Sequence, residues 1–266
     1  MKVVLGIDAA WTKGEPSGVA VLVSSRSDWR CLCVAPSYHA FLSLAEGCPV
    51  AWRTGRSAGC VPDAKALLTA AHKLAGAPVD VVAIDIPVAT VPIVGRREAD
   101  NCISAAFGSR GCSTHSPSAT RPGLLGECLS CEFKRAGYSI AHAAEDAGMP
   151  MRLIEVYPHP ALLSLLNCQY RVPYKVGRSK NYWPTFTISE RISALLKEFH
   201  IINQALIGVV GPTGLTFPKA TFVSTLTSLK RYENSLDALV SAWVGTCYME
   251  GNAAPYGDAT AAIWCP

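Results

Sequence analysis

The apolar run Val79-Asp80-Val81-Val82-Ala83-Ile84-Asp85-Ile86-Pro87 decides the fold class of this 266-residue chain. A continuous apolar run that ends at a proline is typical of a strand buried on both faces of a parallel sheet. Directly before it, apolar residues recur at helical spacing from the start signal Pro62-Asp63 to Gly76. A helix that leads into a buried strand predicts a crossover to a parallel neighbour. The expected fold class is therefore α/β.

The residues on either side of this run extend the predicted sheet. Upstream, strands are predicted at 3–9, 18–23 and 30–35, and the short turns between them make an antiparallel meander. Downstream, a second buried strand is predicted at 151–156, where Pro158 ends it. The pattern thus predicts antiparallel strands first and parallel strands after them.

Helical spacing predicts further helices, and glycine and proline predict where regular structure stops. Helices are expected at 97–106 and 124–147, and a last helix is expected to begin with Asn234 or Ser235 as its N-cap. Residues 36–62 and 199–232 are predicted to be irregular insertions. We expect one domain that covers residues 1–266.

The composition excludes a disordered chain and a membrane-spanning one. Hydrophobic residues make up 50% of the chain and charged residues 17%, with a mean hydropathy of +0.23. Acids, glycines and prolines interrupt each apolar stretch before about 18 residues accumulate. Because Asp8 lies where a secretory signal would continue its apolar run, we expect a soluble, cytoplasmic protein without membrane contacts.

The eleven cysteines do not predict a complete disulfide framework, because their number is odd and their spacing irregular. The close pairs Cys31/Cys33 and Cys128/Cys131 would have to converge to form a structural zinc site. Since each pair falls on one face of a predicted strand or helix, we expect these residues to be small apolar members of the core.

Four acids lie where a carboxylate is costly unless a partner compensates its charge: Asp8, Asp85 and Glu155 in strands, and Asp237 near the start of the last helix. If the fold brings these acids together, one or two divalent cations would be needed to compensate their repulsion. Because the candidate ligands are oxygens, Mg²⁺ or Mn²⁺ is favoured. The alternatives are solvation at the sheet edge or an arginine ion pair for Asp8 and Asp85, a solvent-facing Glu155, and a helix N-terminal position for Asp237.

Positive charge is concentrated in residues 156–232, where nine Lys and Arg against two Glu give +7, in a chain whose net charge is +4. Aromatic residues such as Tyr174 lie between Arg171, Lys175 and Arg178 in this region. Cations that contact a phosphate backbone, together with rings on which bases stack, are typical of nucleic-acid binding. We expect nucleic acid as the partner, with a solvated basic loop as the alternative.

Short segments in a fixed order along nearly the whole chain carry a resemblance to a known family. They are Gly6-Ile7-Asp8-Ala9-Ala10-Trp11, Ser17-Gly18-Val19-Ala20, Ala83-Ile84-Asp85-Ile86-Pro87, Gly95-Arg96-Arg97-x-x-Asp100, Glu155-Val156-Tyr157-Pro158-His159, Tyr174-Lys175, Asp237-Ala238-Leu239-x-x-Ala242-Trp243 and Ile263-Trp264-Cys265-Pro266. Together they resemble the DUF429 family of predicted nucleases with an RNase H-like fold.

The resemblance implies a mixed five-stranded sheet flanked by helices, with its first three strands antiparallel. It also implies a metal-dependent nuclease that hydrolyses phosphodiester bonds by a two-metal mechanism. By position, the ions would be held by Asp8, Asp85 and Asp237, with Asp8 as the bridging ligand. Glu155 matches the family pattern and is a fourth catalytic candidate.

Other matched or neighbouring residues are expected to bind the substrate. Arg97, Lys175 and Arg178 would neutralise phosphate charge, and His159 or His115 would transfer a proton. For each histidine, a position satisfied by loop or core contacts is the alternative.

Three other functions remain open. A non-catalytic module on the same fold would use the basic region to hold nucleic acid or a protein. Nucleotide hydrolysis is less favoured, because Ala9-Ala10-Trp11 after Asp8 does not form a glycine- and threonine-rich phosphate turn. A Cys-His hydrolase is least favoured, because the cysteines lack a recognisable nucleophile context.

Overall fold

An open, mixed sheet lies at the centre of the protein. The computed structural model describes residues 1–25, 28–52, 58–144 and 147–266. Eight strands lie within these ranges: β1 (Val3–Asp8), β2 (Gly18–Ser25), β3 (Asp28–Ala35), β4 (Val81–Ile84), β5 (Ser139–Ile140), β6 (Arg152–Val156), β7 (Ala254–Gly257) and β8 (Ala262–Cys265). Their order is β3-β2-β1-β4-β6-β8-β7, and β5 also pairs with β6.

The strand directions confirm the predicted α/β class. β1, β2 and β3 form the antiparallel meander. β4 lies parallel to β1 and to β6, so the predicted crossovers are present. The expectation of five strands is wrong, because β5, β7 and β8 also join the sheet. β5 has two residues, and β7 and β8 have four residues each.

Eight α-helices flank the sheet in the described part of the chain. They are α1 (Tyr38–Ala45), α2 (Ala64–Ala75), α3 (Glu98–Phe107), α4 (Leu124–Arg135), α5 (Pro158–Leu165), α6 (Ser179–Tyr182), α7 (Ile188–Val210) and α8 (Lys230–Met249). None of these described helices has both the length and the apolar character needed to cross a membrane.

Side-chain alternation along the strands divides the core between two faces of the sheet. One face, which we call the α8 face, packs Val4 and Ala83 against α5, α7 and α8. The opposite face, called the α2 face, packs Leu5 and Ile84 against α1, α2 and α4. Successive residues of a strand point to opposite faces. The central strands are therefore apolar on both sides, as the run at 79–87 predicted.

Helix α2 has the start and stop that the sequence predicted. The Asp63 carboxylate caps it by accepting a hydrogen bond from the Ala66 N–H at 2.9 Å. Gly76 ends it with a φ of 73°, a left-handed conformation that glycine adopts without steric cost.

The helix predicted at 124–147 is longer than the observed helix α4. It ends at Arg135, because Gly137 turns the chain with a φ of 97° and residues 139–140 then pair with β6 as β5. Residues 145–146 of the prediction lie outside the described residues. Cys128 and Cys131 on this helix are exposed rather than buried in the core, whereas Cys31 and Cys33 are half-buried.

The two insertions are more regular than expected. Residues 36–62 contain α1, and residues 53–57 lie outside the described ranges. Residues 199–210 are the second half of α7, which continues through Gly208 because an exposed glycine costs a helix only about 1 kcal/mol. Gly211, with a φ of 65°, ends this helix. Only short 3₁₀ turns follow before α8.

The last helix begins earlier than predicted. It starts at Lys230, so Glu233 rather than Asp237 lies in its first turn. Asn234 is not an N-cap, because its side-chain amide donates to the Pro16 carbonyl at 2.8 Å. Asp237 therefore lies two turns into the helix, beyond the range of a helix N-terminal role.

Glycines allow α8 to approach the sheet closely. A Cβ atom on Gly6 would lie 2.5 Å from the Ala242 backbone nitrogen, and one on Gly245 would lie 2.5 Å from Cγ1 of Val4. Distances this short exclude any side chain at either position without movement of the helix or the sheet. These two glycines therefore set how close α8 lies to β1.

We expect Gly6→Ala to lower the free energy of unfolding by about 1–3 kcal/mol, because the added methyl group would overpack this interface. Chemical denaturation of both proteins would measure the difference. Gly208→Ala is the matched control: a Cβ there meets no other atom within 4 Å, and alanine favours the helix, so the change should be neutral or stabilising by up to about 1 kcal/mol. Equal stability of wild type and Gly6→Ala would contradict the close-packing argument.

Candidate functional site

Asp8 and Asp85 lie side by side at the carboxyl ends of two parallel strands. Ile7 pairs with Ile84, and the Asp85 N–H donates to the Ile7 carbonyl at 2.8 Å, so the two acids follow in the same register. Both point to the α8 face, because Gly6, two residues before Asp8, faces α8. Both side chains are half-buried.

Asp237 reaches this end of the sheet from α8, but its carboxylate already has partners. The Tyr174 hydroxyl donates to Oδ1 at 2.5 Å, and the Lys175 ammonium donates to Oδ2 at 2.5 Å. Tyr174 and Asp237 are fully buried. Each oxygen of Asp237 therefore accepts a strong hydrogen bond from within the chain.

Glu233, one helical turn before Asp237, is a buried acid that the sequence-based site did not include. It accepts hydrogen bonds from the Val176 N–H at 2.6 Å and from the Lys230 ammonium at 2.5 Å. The ammonium nitrogen of Lys175 lies 3.8 Å from Oε1 of Glu233. Its spacing of four residues from Asp237 places both acids on one side of α8, and this spacing is the sequence signal that could have identified it.

Two carboxyls of the site have no ion-pair partner. Burial, followed by the negative charge of Asp237, raises the pKa of Asp8 to about 7. Burial and then the charge of Asp8 raise the pKa of Asp85 well above its ordinary value, against the opposing effect of Lys175. Within the described ranges, neither carboxyl forms a salt bridge or accepts a hydrogen bond. The site therefore has more acidic than basic side chains, and the raised pKa values reduce the charge of the two strand acids.

The side chains that could act as metal ligands decide whether a divalent cation fits this site. In the described part of the chain, no three His, Cys, Asp or Glu side chains are arranged as a metal-binding group. Both oxygens of Asp237 already accept hydrogen bonds, from Tyr174 and from Lys175. Asp8 and Asp85 remain, and proteins commonly bind Mg²⁺ through one or two carboxylates completed by water and substrate phosphate. The residues fit an open, two-carboxylate site, and the three-aspartate site stays a prediction.

Glu155 faces away from these acids. It pairs in register with Ile84, which points to the α2 face, so Glu155 lies on the face opposite Asp8 and Asp85. Glu155 is buried, with 4% exposure, and is not turned to solvent. This position argues against a shared catalytic site with the three aspartates.

Arg97 explains why Glu155 can be buried. Its guanidinium donates to both oxygens of Glu155, at 2.6 and 2.7 Å, and to Asp100 at 3.0 Å. It also donates to the Val88 carbonyl at 2.8 Å. This Arg97–Glu155 pair ties α3 and the loop after β4 to β6. The contacts give both residues a structural role and argue against the predicted substrate-binding role of Arg97.

Breaking the pair should destabilise the protein strongly. We expect Arg97→Met to lower the free energy of unfolding by about 3–5 kcal/mol, because it leaves buried carboxylates without a cation. The neighbouring Arg96→Met removes an exposed arginine whose hydrogen bonds are solvent-accessible, and should cost about 1 kcal/mol or less. Urea denaturation measures both; equal losses would show that the pair has no special role.

His159 and Arg171 form a second polar cluster beside the aspartates. His159 is buried and lies between the rings of Tyr157 and Tyr174, at centroid distances of 5.3 and 5.5 Å. Its Nε2 lies 2.6 Å from Nη2 of Arg171. Burial, with the nearby charges of Lys175 and Arg171, holds the pKa of His159 well below its usual value. The imidazole is therefore neutral and accepts the Arg171 hydrogen bond through Nε2.

This neutral histidine should make the fold acid-sensitive. Since its pKa is lowered in the folded state, the unfolded chain binds a proton that the folded chain does not once the pH falls below about 6.5. The free energy of unfolding contributed by this group then falls by up to about 1.4 kcal/mol per pH unit.

We expect the stability loss between about pH 7 and about pH 5 to be smaller in His159→Gln than in wild type. Denaturant titrations at both pH values would measure the two losses. His39→Gln, at an exposed histidine, should leave the pH dependence as in wild type. An undiminished loss in His159→Gln would contradict the assignment of a neutral, buried imidazole.

Arg178 lies next to the same cluster. Its Nη2 is 3.1 Å from Nε2 of His115, and its side chain is half-buried. The structure thus brings together Asp8, Asp85, Asp237 and Lys175, places His159 and Arg178 beside them, and separates Glu155 and Arg97 from them. The sequence suggested Tyr174 only as a ring for base stacking and did not place Glu233 or Lys230 among the candidate site residues, since hydrogen bonding across elements selects all three.

Fold and site together define an α/β protein that gathers carboxylates at the ends of parallel strands. The sequence model of the family described as "Protein of unknown function (DUF429)" matches residues 6–261, nearly the whole chain. The chain belongs to the DUF429 family, and the resemblance read from its segments is confirmed. Comparisons with curated proteins and with solved structures give no match. The nuclease activity and the RNase H-like assignment stay predictions.

Proposed function

We propose that this protein is a hydrolase that cleaves phosphodiester bonds of nucleic acid, with Mg²⁺ or Mn²⁺ held by Asp8 and Asp85. The observation that carries the proposal is the pair itself: two adjacent carboxyls at strand ends that no described side chain neutralises. Carboxylates brought this close repel each other, and a divalent cation is the usual compensation.

The neighbouring residues have separate tasks in this proposal. When bound, a divalent ion lowers the pKa of a water molecule and polarises a phosphoryl oxygen. Asp237 orients Lys175, whose ammonium lies beside the carboxylates and would attract the phosphate. Tyr174 fixes Asp237 through its short hydrogen bond. Tyr174 and Asp237 are therefore positioning residues, and Asp8 and Asp85 are the groups that hold the ion.

A non-catalytic nucleic-acid-binding module is the second candidate. The specific observation in its favour is the engagement of Asp237 with Lys175 and Tyr174, which leaves two free carboxyls where the two-metal mechanism uses three aspartates. Such a module would bind phosphate through its cations and would not need the acids.

Metal binding and hydrolysis test the proposal together. We expect wild type to bind Mn²⁺ in calorimetry and to cleave at least one of four substrates, single-stranded, duplex, hybrid or branched, in a reaction that EDTA stops. Asp8→Asn and Asp85→Asn should each weaken Mn²⁺ binding by more than about tenfold, since loss of even an outer-shell partner costs about 10–100-fold. Both substitutions should also abolish cleavage of every substrate.

Asp80→Asn is the matched control, because Asp80 precedes β4 at the opposite end of the sheet, where its Oδ2 accepts from the Val3 N–H. Asparagine retains an acceptor oxygen there, so metal binding and cleavage should equal those of wild type. No Mn²⁺ binding and no cleavage of any substrate would overturn the proposal. Salt-dependent binding of nucleic acid that survives both EDTA and Asp8→Asn, without cleavage, would establish the binding module instead.

A further inference from the structure

We infer that Arg171, Arg178 and His115 form a binding site for a backbone phosphate of the substrate that neighbours the phosphate to be cleaved. The inference deepens the proposed function and rests on it for the reaction, but phosphate binding itself needs no metal. It assigns the substrate class: a nucleic-acid strand with at least two consecutive phosphates.

The first supporting observation is uncompensated positive charge. Neither Arg171 nor Arg178 forms a salt bridge with any residue in the described ranges. This differs from Lys175 and Lys230, which pair with Asp237 and Glu233. Arginine is always charged and presents a planar fork that matches the oxygens of a phosphate.

The electrostatic surroundings of the two histidines show that these cations lie together. Partial burial and the charges of Arg178, Arg171 and Arg121 lower the pKa of His115. Burial and the charges of Lys175, Arg171 and Arg178 lower the pKa of His159 as well. Several cations act on each imidazole, so an anion placed among them would be attracted by all of them.

The second observation is a polar network that the chain leaves incomplete. Nε of Arg171 and Nδ1 of His159 are buried and have no hydrogen-bond partner within the described residues. Since Nε2 of His159 accepts from Arg171, its Nδ1 carries the proton, so both atoms are donors. A buried donor without an acceptor costs about 1–3 kcal/mol. Such donors commonly indicate a water molecule or an ion that completes the network.

The position of the cluster decides which phosphate it receives. His159 contacts the ring of Tyr174, which donates to Asp237. Two side chains, His159 and Tyr174, thus lie between Arg171 and Asp237. In the described residues neither Arg171 nor Arg178 forms an ion pair with Asp8 or Asp85, so we assign to the two arginines a phosphate beside the one that these acids would hold. It would be a second phosphate of the same strand.

Binding measured in EDTA tests this site separately from catalysis. The probes are inorganic phosphate, followed by calorimetry, and a fluorescent single-stranded oligonucleotide, followed by anisotropy over a range of salt concentrations. We expect Arg178→Gln to weaken binding of both probes by about tenfold, and to reduce the salt slope for the oligonucleotide by about 1. Arg171→Lys should weaken binding although it keeps the charge, because lysine lacks the fork.

Lys180→Gln is the matched control, because it removes one positive charge from an exposed side chain two residues from Arg178. It should change both affinities by less than about twofold. Equal effects of Lys180→Gln and Arg178→Gln would overturn the inference, since they would indicate diffuse surface charge. Binding of the oligonucleotide without binding of phosphate, or of phosphate alone as an adventitious ion only, would also overturn it. If Arg171→Lys does not fold, Arg178→Gln and His115→Gln decide the question.

Failure of this inference is distinguishable from failure of the proposed function. Cleavage by wild type with an unchanged KM in Arg178→Gln would overturn the phosphate site and leave the nuclease proposal intact. Absence of metal-dependent cleavage in wild type, with Arg178-dependent binding of both probes, would overturn the nuclease proposal and support a strand-binding role for the same site.

Discussion

The close packing of α8 on β1 is the constraint on which the rest of the structure depends. Gly6 and Gly245 remove the side chains that would hold the helix away from the sheet. The helix consequently lies almost entirely buried across β1, β2 and β4. Because protein interiors are packed as densely as organic crystals, this one distance also fixes where every polar group on α8 can lie.

The electrostatics of the site follow from that packing. A buried helix that carries Glu233 and Asp237 brings both acids toward the strand ends that carry Asp8 and Asp85. Lys175 and Lys230 compensate the acids of the helix, while those of the strands keep raised pKa values. Ionising these strand acids opposes stability, and acids with strongly shifted pKa values cluster at functional sites.

Asp85 and Glu155 have similar local sequence contexts but different roles in the structure. Asp85 directly follows the apolar strand β4, and Glu155 is the penultimate residue of β6; the local pattern does not show which face of the sheet each side chain occupies. Register places Glu155 opposite Ile84 and therefore on the α2 face, where Arg97 neutralises it. Asp85 falls on the α8 face beside Asp8. Strand register, which depends on pairing between distant segments, separates a structural acid from a candidate metal ligand.

The sequence by itself determined the α/β class, the antiparallel meander, the buried parallel strands and the family, because apolar periodicity and short motifs are local signals. It identified Asp8, Asp85, Glu155 and Asp237 as acids in an apolar setting, and Lys175 as a cation expected to neutralise phosphate charge. Tertiary structure alone decided the start of α8, the short strands β5, β7 and β8, and the partners of Asp237 and Glu155. Each of these depends on contacts between segments far apart in the chain, which no local pattern records.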